Sequence, residues 1–450
     1  MKESFKAVMF GVITLLTIIS CILLNLSREQ VVAVTIFASK TAATLLFWRF
    51  RLAIGFVGLA LLFLFGVLDV AHFIEFAGLD VIIFLIGMMI VIGHLEERGF
   101  FEYVLAKIIN LARGNPVKTF YLLMISSFIM AALVDEVTSI LFVTALVLRV
   151  ASYSGVSPVP LVIMTVFATN IGSSATVVGN PIGVLIALRA DLTFTDFLQW
   201  ATPMSLLALV LTIILCKGYY KNYIKELKVE AVTSDSEVNR GRVLDWLIFG
   251  GTLGGLILHG PIESLLGLEK GVMLIGVALI SAGTVLLISR KRAREIVERN
   301  VDWWTLAFFI TLFASVGTLK YVGVTKLIAE GFIGMGLQGT GLYLTFGYIS
   351  GFLTALLDNI LAVATLIPVV YELGGVGVNI FPYWWALLFS GTFMGNLTPI
   401  GSTANIIALG IVERKHRVSF KEWIKIGAAV SFSTLTLALI IMTLRTGMLS

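Results

Sequence analysis

The chain has 450 residues, 58% of them hydrophobic and 13% charged, with a formal net charge of +5 and a mean hydropathy of +1.00. An ordinary soluble domain is about 25% charged, so this composition excludes a water-soluble globule and offers no basic surface for nucleic acid. The two cysteines, Cys21 and Cys216, lie far apart in apolar runs, which argues against a disulfide framework or a zinc site.

In chain order, the first apolar run is Phe5–Leu26, after Lys2 and Lys6. It is longer than the core of a signal peptide and lacks a small-residue cleavage site, so residues 1–28 read as a retained helix. Most later apolar runs are near 20 residues, the length that crosses about 30 Å of hydrocarbon as a helix. Alternating segments of about 10 residues, the mark of a membrane β-barrel, are missing. Basic residues cluster at Arg49 and Arg51; at Arg98, Lys107, Arg113 and Lys118; between 217 and 243; between 290 and 299; and from Arg414 to Lys425. The loops between these clusters are acidic or nearly uncharged. The positive-inside rule makes the basic set cytoplasmic. The threading closes only if about 116–152 and about 340–375 enter and return on one side as re-entrant hairpins. The expectation is an all-α integral membrane protein of about eleven spans. Its N-terminus is cytoplasmic, its C-terminus outside, and its home the plasma membrane.

Residues 217–243 are the long hydrophilic stretch and divide the chain into 29–216 and 244–450. The two parts repeat one another. "AALVDEVTSILFVTALVLRV" (131–150) parallels "TALLDNILAVATLIPVVYEL" (354–373). Each is followed by a polar break: "TNIGSSATVVGNP" within a broken helix at about 158–188, and "GNLTPIGSTANI" within another at about 382–410. A short amphipathic stretch precedes each hairpin, at 99–114 and 323–336. The charge pattern places the hairpins on opposite sides, so the repeats are inverted. Inverted repeats with matching Gly/Pro-interrupted segments point to a secondary transporter with its site at the repeat interface. The bland alternative is that the Gly, Ser and Thr residues only pack helices.

Unwound backbone at membrane depth is tolerated where protein buries it or where it lines a watery cavity. It frees carbonyls for a cation and helix N-termini for an anion. The first break offers Asn170, Ser173, Ser174, Thr176 and Asn180, with Gly172 and Gly179 expected to let backbone approach a ligand and Pro181 to restart the helix. The second offers Asn396, Thr398, Ser402, Thr403 and Asn405. The hairpin tips carry Asp135, Glu136 and Thr138, and Asp358 and Asn359. An acid near the bilayer centre costs about 2.5–3.5 kcal/mol on insertion scales, so the two aspartates read as ion-coupling groups. Helix capping is the competing role. Glu136 either faces the cavity or is the less buried acid. His94, Glu96 and Glu97 sit at a helix end expected to be solvated. Lys40 either snorkels or pairs with an acid. Trp303-Trp304 and Trp384-Trp385 read as interfacial anchors, and His72, His259 and His416 fall in expected loops.

These segments resemble the ion transporter superfamily, in particular the group of arsenite permeases, NhaD-type sodium/proton antiporters and the P protein, with a citrate-transporter-like domain. The resemblance runs from about residue 80 to the end. It implies a dimer, scaffold and transport domains, and an elevator movement. It also implies two half-sites: Asp135, Asn170, Ser173, Ser174, Thr176 and Asn180 in one, and Asp358, Asn359, Asn396, Thr398, Ser402, Thr403 and Asn405 in the other. The chain departs from the family pattern at Glu136, where Asn is common, and at Asn180, where P-protein-like members often have an acid.

The function expected is secondary active transport of an inorganic ion or small anion, arsenite or antimonite first, on a Na⁺ or H⁺ gradient. Sodium/proton antiport and citrate or dicarboxylate transport are alternatives, and an ion channel is the rival class. No enzymatic activity is expected. No cofactor is expected beyond Na⁺ as coupling ion, with Asp135, Asn170, Asp358 and Asn396 as its candidate ligands. The sequence has no Walker A run, so any ATPase would be a separate subunit.

Overall fold

The computed structural model describes residues 3–228 and 243–448, so most of the expected linker lies outside the described residues. All regular structure among them is helical. Nine helices among the described residues are long and apolar enough to cross a membrane. The broken helices are not among the nine, because their pieces Val159–Gly172, Pro181–Arg189, Phe381–Phe393 and Thr403–Val412 are each short. Outward-facing Leu23, Leu64, Leu265 and Leu287 are exposed, as a lipid-facing surface requires.

The first hairpin joins Pro116–Leu133 to Glu136–Ser154. Asn115 caps its start by accepting from Lys118 N at 3.0 Å, and Pro116 takes the first helical position, where a missing N–H costs nothing. The second hairpin joins Gly339–Leu356 to Asn359–Gly375. The short helices before the hairpins, Phe100–Asn110 and Val324–Gly334, each start at a left-handed glycine: Gly99 with φ 67° and Gly323 with φ 79°.

By its internal contacts the chain forms two units, each drawing on both sequence halves. One comprises Met1–Ile83, Asp302–Gln338 and Ala364–Ile380; the other comprises Phe84–Val301, Gly339–Val363 and Phe381–Ser450. The second contains both hairpin tips and both broken helices.

In the first unit, Lys40 neither snorkels nor meets an acid. It is 4% exposed, and its Nζ donates to Thr311 O at 2.8 Å and Ser315 Oγ at 2.6 Å on the helix Trp303–Tyr321. Gly58 makes room for its stem: a Cβ there would lie 2.8 Å from Lys40 Cδ. Both oxygens keep partners without the amine, since Ser315 Oγ donates to Thr311 O. Burying a charge is costly unless it is paired and hydrogen-bonded, and Lys40 meets only neutral oxygens. Lys40→Met should therefore hold or raise the melting temperature of the purified protein. A clear fall would show that the ammonium itself supports the fold.

Candidate functional site

The two hairpin tips are built alike and filled differently. Asp135 caps the helix Glu136–Ser154, its Oδ1 accepting from the backbone N–H of Val137 and Thr138 at 2.8 Å each. Asp135 thus caps the helix, and Thr138 meets it through both its backbone N–H and its side chain. Glu136, the first residue of that helix, is 1% exposed, so it is not the less buried acid of the tip. Its Oε1 accepts from Asn359 Nδ2 at 3.4 Å, and its Oε2 has no hydrogen-bond partner. Asn359 holds the matching first position in the second hairpin's return helix. Its Oδ1 accepts from Ile360 N at 3.0 Å, which fixes the amide with its NH₂ toward Glu136. Asp358 accepts from Thr403 Oγ1 at 3.3 Å.

In each broken helix a threonine of the break bonds the inbound helix of its own hairpin. Thr176 Oγ1 donates to Ala132 O. Thr398 Oγ1 donates to Ala355 O at 2.6 Å. Ala132 and Ala355 each stand three residues before the tip aspartate. Both second halves then restart on a polar cap. Asn180 Oδ1 accepts from Gly183 N at 2.7 Å ahead of Pro181, and Ser402 Oγ accepts from Asn405 N at 3.4 Å ahead of Thr403.

The carbonyls freed by unwinding are answered by side chains. Asn180 Nδ2 donates to Ser173 O at 3.0 Å and to Ser173 Oγ at 2.9 Å. Asn405 Nδ2 donates to Gly395 O and Thr398 O, both at 2.8 Å. Trp423 Nε1, on the helix Phe420–Arg445, donates to Asn396 O at 3.0 Å. Ser174 shares a hydrogen bond of 2.7 Å with Ser205. Pairing of this kind lets non-helical backbone persist away from water.

Between the breaks lies one amide cluster. Asn170 Nδ2 donates to Asn396 Oδ1 at 2.7 Å and to Asn405 Oδ1 at 2.8 Å, and Asn170 Oδ1 accepts from Ser402 Oγ at 2.8 Å. Asn170, Asn396, Asn405 and Ser402 are each at most 1% exposed. Ser173, whose hydroxyl donates to Asn170 O at 2.9 Å, also lies toward the Glu136 carboxyl, so acid and amides share one neighbourhood.

Of the four candidate Na⁺ ligands, Asn170 and Asn396 thus meet directly, whereas Asp135 and Asp358 each make the local bonds just described. The glycines serve a different end from the one expected. A Cβ on Gly172 would sit 2.3 Å from Phe128 O, and one on Gly179 2.2 Å from Ser173 O. Both positions bring backbone against protein backbone, not against a ligand. Trp384 and Trp385 are not interfacial anchors: they are 4% and 0% exposed inside the broken helix, while Trp303 and Trp304 are 47% exposed. His94 is buried at 7%, not solvated, with Nδ1 3.4 Å from Ser289 Oγ. Nearby, Arg98 forms an ion pair with buried Asp245. His259 is buried inside the helix Val243–Leu266, not in a loop. Among the described residues no group of three or more His, Cys, Asp or Glu converges as a metal set. Sequence reasoning missed Trp423 and Ser205, since nothing in their local pattern separates them from packing residues.

The model of the CitMHS citrate transporter family matches residues 42–390. The chain belongs to this family. An uncharacterized transporter of Mycobacterium tuberculosis is 34% identical to this family member over 376 residues, covering 81% of the chain and 86% of the relative. The human P protein is 25% identical over 440 residues, 80% of the chain and 52% of that protein. Among solved structures, the YdaH transporter of Alcanivorax borkumensis shares the fold with a TM-score of 0.63 at 18% identity, over 86% of this chain and 88% of that one. Neisseria gonorrhoeae MtrF aligns with a TM-score of 0.53 at 13% identity, over 83% and 82%. The citrate-transporter-family member described here is a multi-pass membrane transporter.

Proposed function

We propose that this transporter is a secondary active carrier of an inorganic ion or a small inorganic oxyacid such as arsenite, driven by a H⁺ or Na⁺ gradient. The observation that carries the reading is the junction of the two tips at Glu136 and Asn359, next to the amide cluster of the two breaks. The side chains that meet there are acids, amides and hydroxyls, and none of them is basic. Such a set suits a cation, a proton, or an uncharged hydroxide like arsenous acid, which amides and hydroxyls can hydrogen-bond from both sides. Sodium/proton antiport draws on the same groups. The family's description favours a second reading, citrate. A polycarboxylate would have to reach this acidic site with its charge neutralised by a bound cation. The reading takes the carrier as a plasma-membrane homodimer moving by an elevator mode, with its N-terminus cytoplasmic; an ATPase, if one takes part, is a separate subunit.

Reconstitution into liposomes tests it. Under an imposed pH or Na⁺ gradient, uptake of labelled arsenite, antimonite, sodium and citrate is followed in parallel. One class should accumulate above its equilibrium level and stop doing so when an ionophore collapses the gradient. Flux that only ever runs down its own gradient would overturn active transport, and downhill flux that does not saturate with solute would favour a channel.

A further inference from the structure

We propose that a polar cleft on the second unit is the mouth through which solute reaches the amide cluster, and that the paired rings of Trp423 and Phe167 are the plug between the two. The proposal rests on the carrier reading above and deepens it.

The cleft has a volume of about 370 Å³ and is lined by Ser157, Pro160, Tyr223, Glu226, Arg417 and Glu422, among others. Its walls come from three places in the chain: the turn that leads into Val159–Gly172, the short helix Lys221–Lys225 with the residue after it, and the start of Phe420–Arg445 with the loop before it. Tyr223 Oη donates to Ser157 O, and Tyr220 Oη donates to Glu422 Oε1 at 3.3 Å, so the three pieces are fastened to one another. Two carboxyl groups, a guanidinium and two hydroxyls suit water and a charged or hydroxylated solute. The basic stretches 217–243 and Arg414–Lys425 supply two of the walls, so the positive-inside rule turns this mouth to the cytoplasm.

Two of the lining helices lead from the cleft to the plug. Pro160 and Phe167 are seven residues apart, so they share one face of Val159–Gly172, about 10 Å apart along its axis. Glu422 directly precedes Trp423 in Phe420–Arg445. There the route is shut. Phe167 and Trp423 are both fully buried, and their rings meet edge-on with centroids 5.5 Å apart. Asn396 holds both. Its backbone O accepts from Trp423 Nε1 at 3.0 Å, and its Nδ2 donates to Phe167 O at 3.4 Å. Its Oδ1 accepts from Asn170, so one residue belongs to the plug and to the cluster. The bond to Phe167 O is longer than the usual range of about 2.7–3.2 Å. A solute that engages the Asn396 amide therefore gives up little to release that hold. The helix behind the indole is no alternative gate. A Cβ on Gly427 would lie 2.5 Å from Asn396 O, so one turn past Trp423 the helix backbone is packed against the break.

Thiol labelling of the purified full chain in lipid, with no solute present, tests the assignment. Ser402→Cys puts a reporter in the amide cluster, and methanethiosulfonate ethylammonium is the probe. Alone, this variant should react slowly, because Ser402 is buried. Adding Trp423→Ala should raise its labelling rate about tenfold or more, the equivalent of a barrier lowered by about 1.4 kcal/mol. Phe167→Ala should do the same, and it decides the matter if Trp423→Ala fails to fold. Ser157→Trp, which fills the cleft from its wall, should take most of that gain back. The native Cys21, buried in the other unit, should stay unlabelled throughout. Fast labelling of Ser402→Cys alone, no gain from removing either ring, a gain that Ser157→Trp leaves intact, or parallel labelling of Cys21 would each overturn the proposal. Loss of the carrier reading would look different: the labelling pattern would stand while gradient-driven uptake failed for every solute.

Discussion

Gly172→Ala should be among the most damaging single methyls that could be added to the described residues. The added Cβ would lie 2.3 Å from Phe128 O and 2.7 Å from Phe128 Cα. Both obstacles are backbone of the first hairpin's inbound helix, so no rotamer change relieves them. Overpacking usually costs about 1–3 kcal/mol and sometimes more. Here the upper end is expected, because one backbone must move off another that Thr176 also ties in place. Gly11→Ala is the control. Nothing lies within 4 Å of its Cβ, it sits inside the helix Glu3–Leu23, and it should gain up to about 1 kcal/mol of helix propensity. Melting curves of the two purified variants should move in opposite directions. Equal and small shifts would mean that the hairpin and the broken helix are not in the close contact seen.

Asn170→Leu should come next, and should cost function as well as stability. The change removes both donors that Asn396 Oδ1 and Asn405 Oδ1 receive from Asn170, and the acceptor that Ser402 uses. A buried polar group left unsatisfied costs about 1–3 kcal/mol. Ser402 Oγ can still donate to Asn405 Oδ1, 3.1 Å away, so the loss falls chiefly on Asn396 Oδ1 and on the volume and shape of the network. A drop of several kcal/mol in stability and a tenfold or greater loss of transport at limiting solute, equivalent to about 1.4 kcal/mol of binding, are the expected readings. If Asn170→Leu melts early but the folded fraction transports with wild-type concentration dependence, the cluster is a structural rivet and the solute binds elsewhere.

Much of this architecture was legible in the chain because membranes impose a coarse grammar. Length, hydropathy and the placement of Lys and Arg are enough to read helices and hairpins. Asp135 with Glu136, Asp358 with Asn359, and the two Gly-rich breaks stand out because polar groups in oil need a reason. What stayed hidden depends on partners far away in sequence. Trp423 looks like any aromatic beside a basic loop until its indole is seen to cap the carbonyl of Asn396. Lys40 could not be assigned its neutral oxygens, since Thr311 and Ser315 are ordinary helix-packing residues by composition. Gly172 and Gly179 advertise close approach, but only coordinates say that protein backbone is what approaches. The choice of Glu136 over Asp135 as the more deeply buried acid turns on which side of one helical turn each faces, and adjacent positions do not disclose that.

The indole of Trp423 has one more consequence. It is fully buried, it meets the ring of Phe167 edge-on with centroids 5.5 Å apart, and it hydrogen-bonds the backbone of the very residue whose side chain joins the amide cluster. Phe167 and Asn396 belong to the two broken helices, so the chromophore touches both at once. Indole emission responds to changes in its hydrogen bonding and in the polarity around it. The protein therefore contains its own optical probe, set against both broken helices at once. Titration of intrinsic fluorescence, referenced to Trp423→Phe, could screen solutes against the unlabelled chain before any flux is measured.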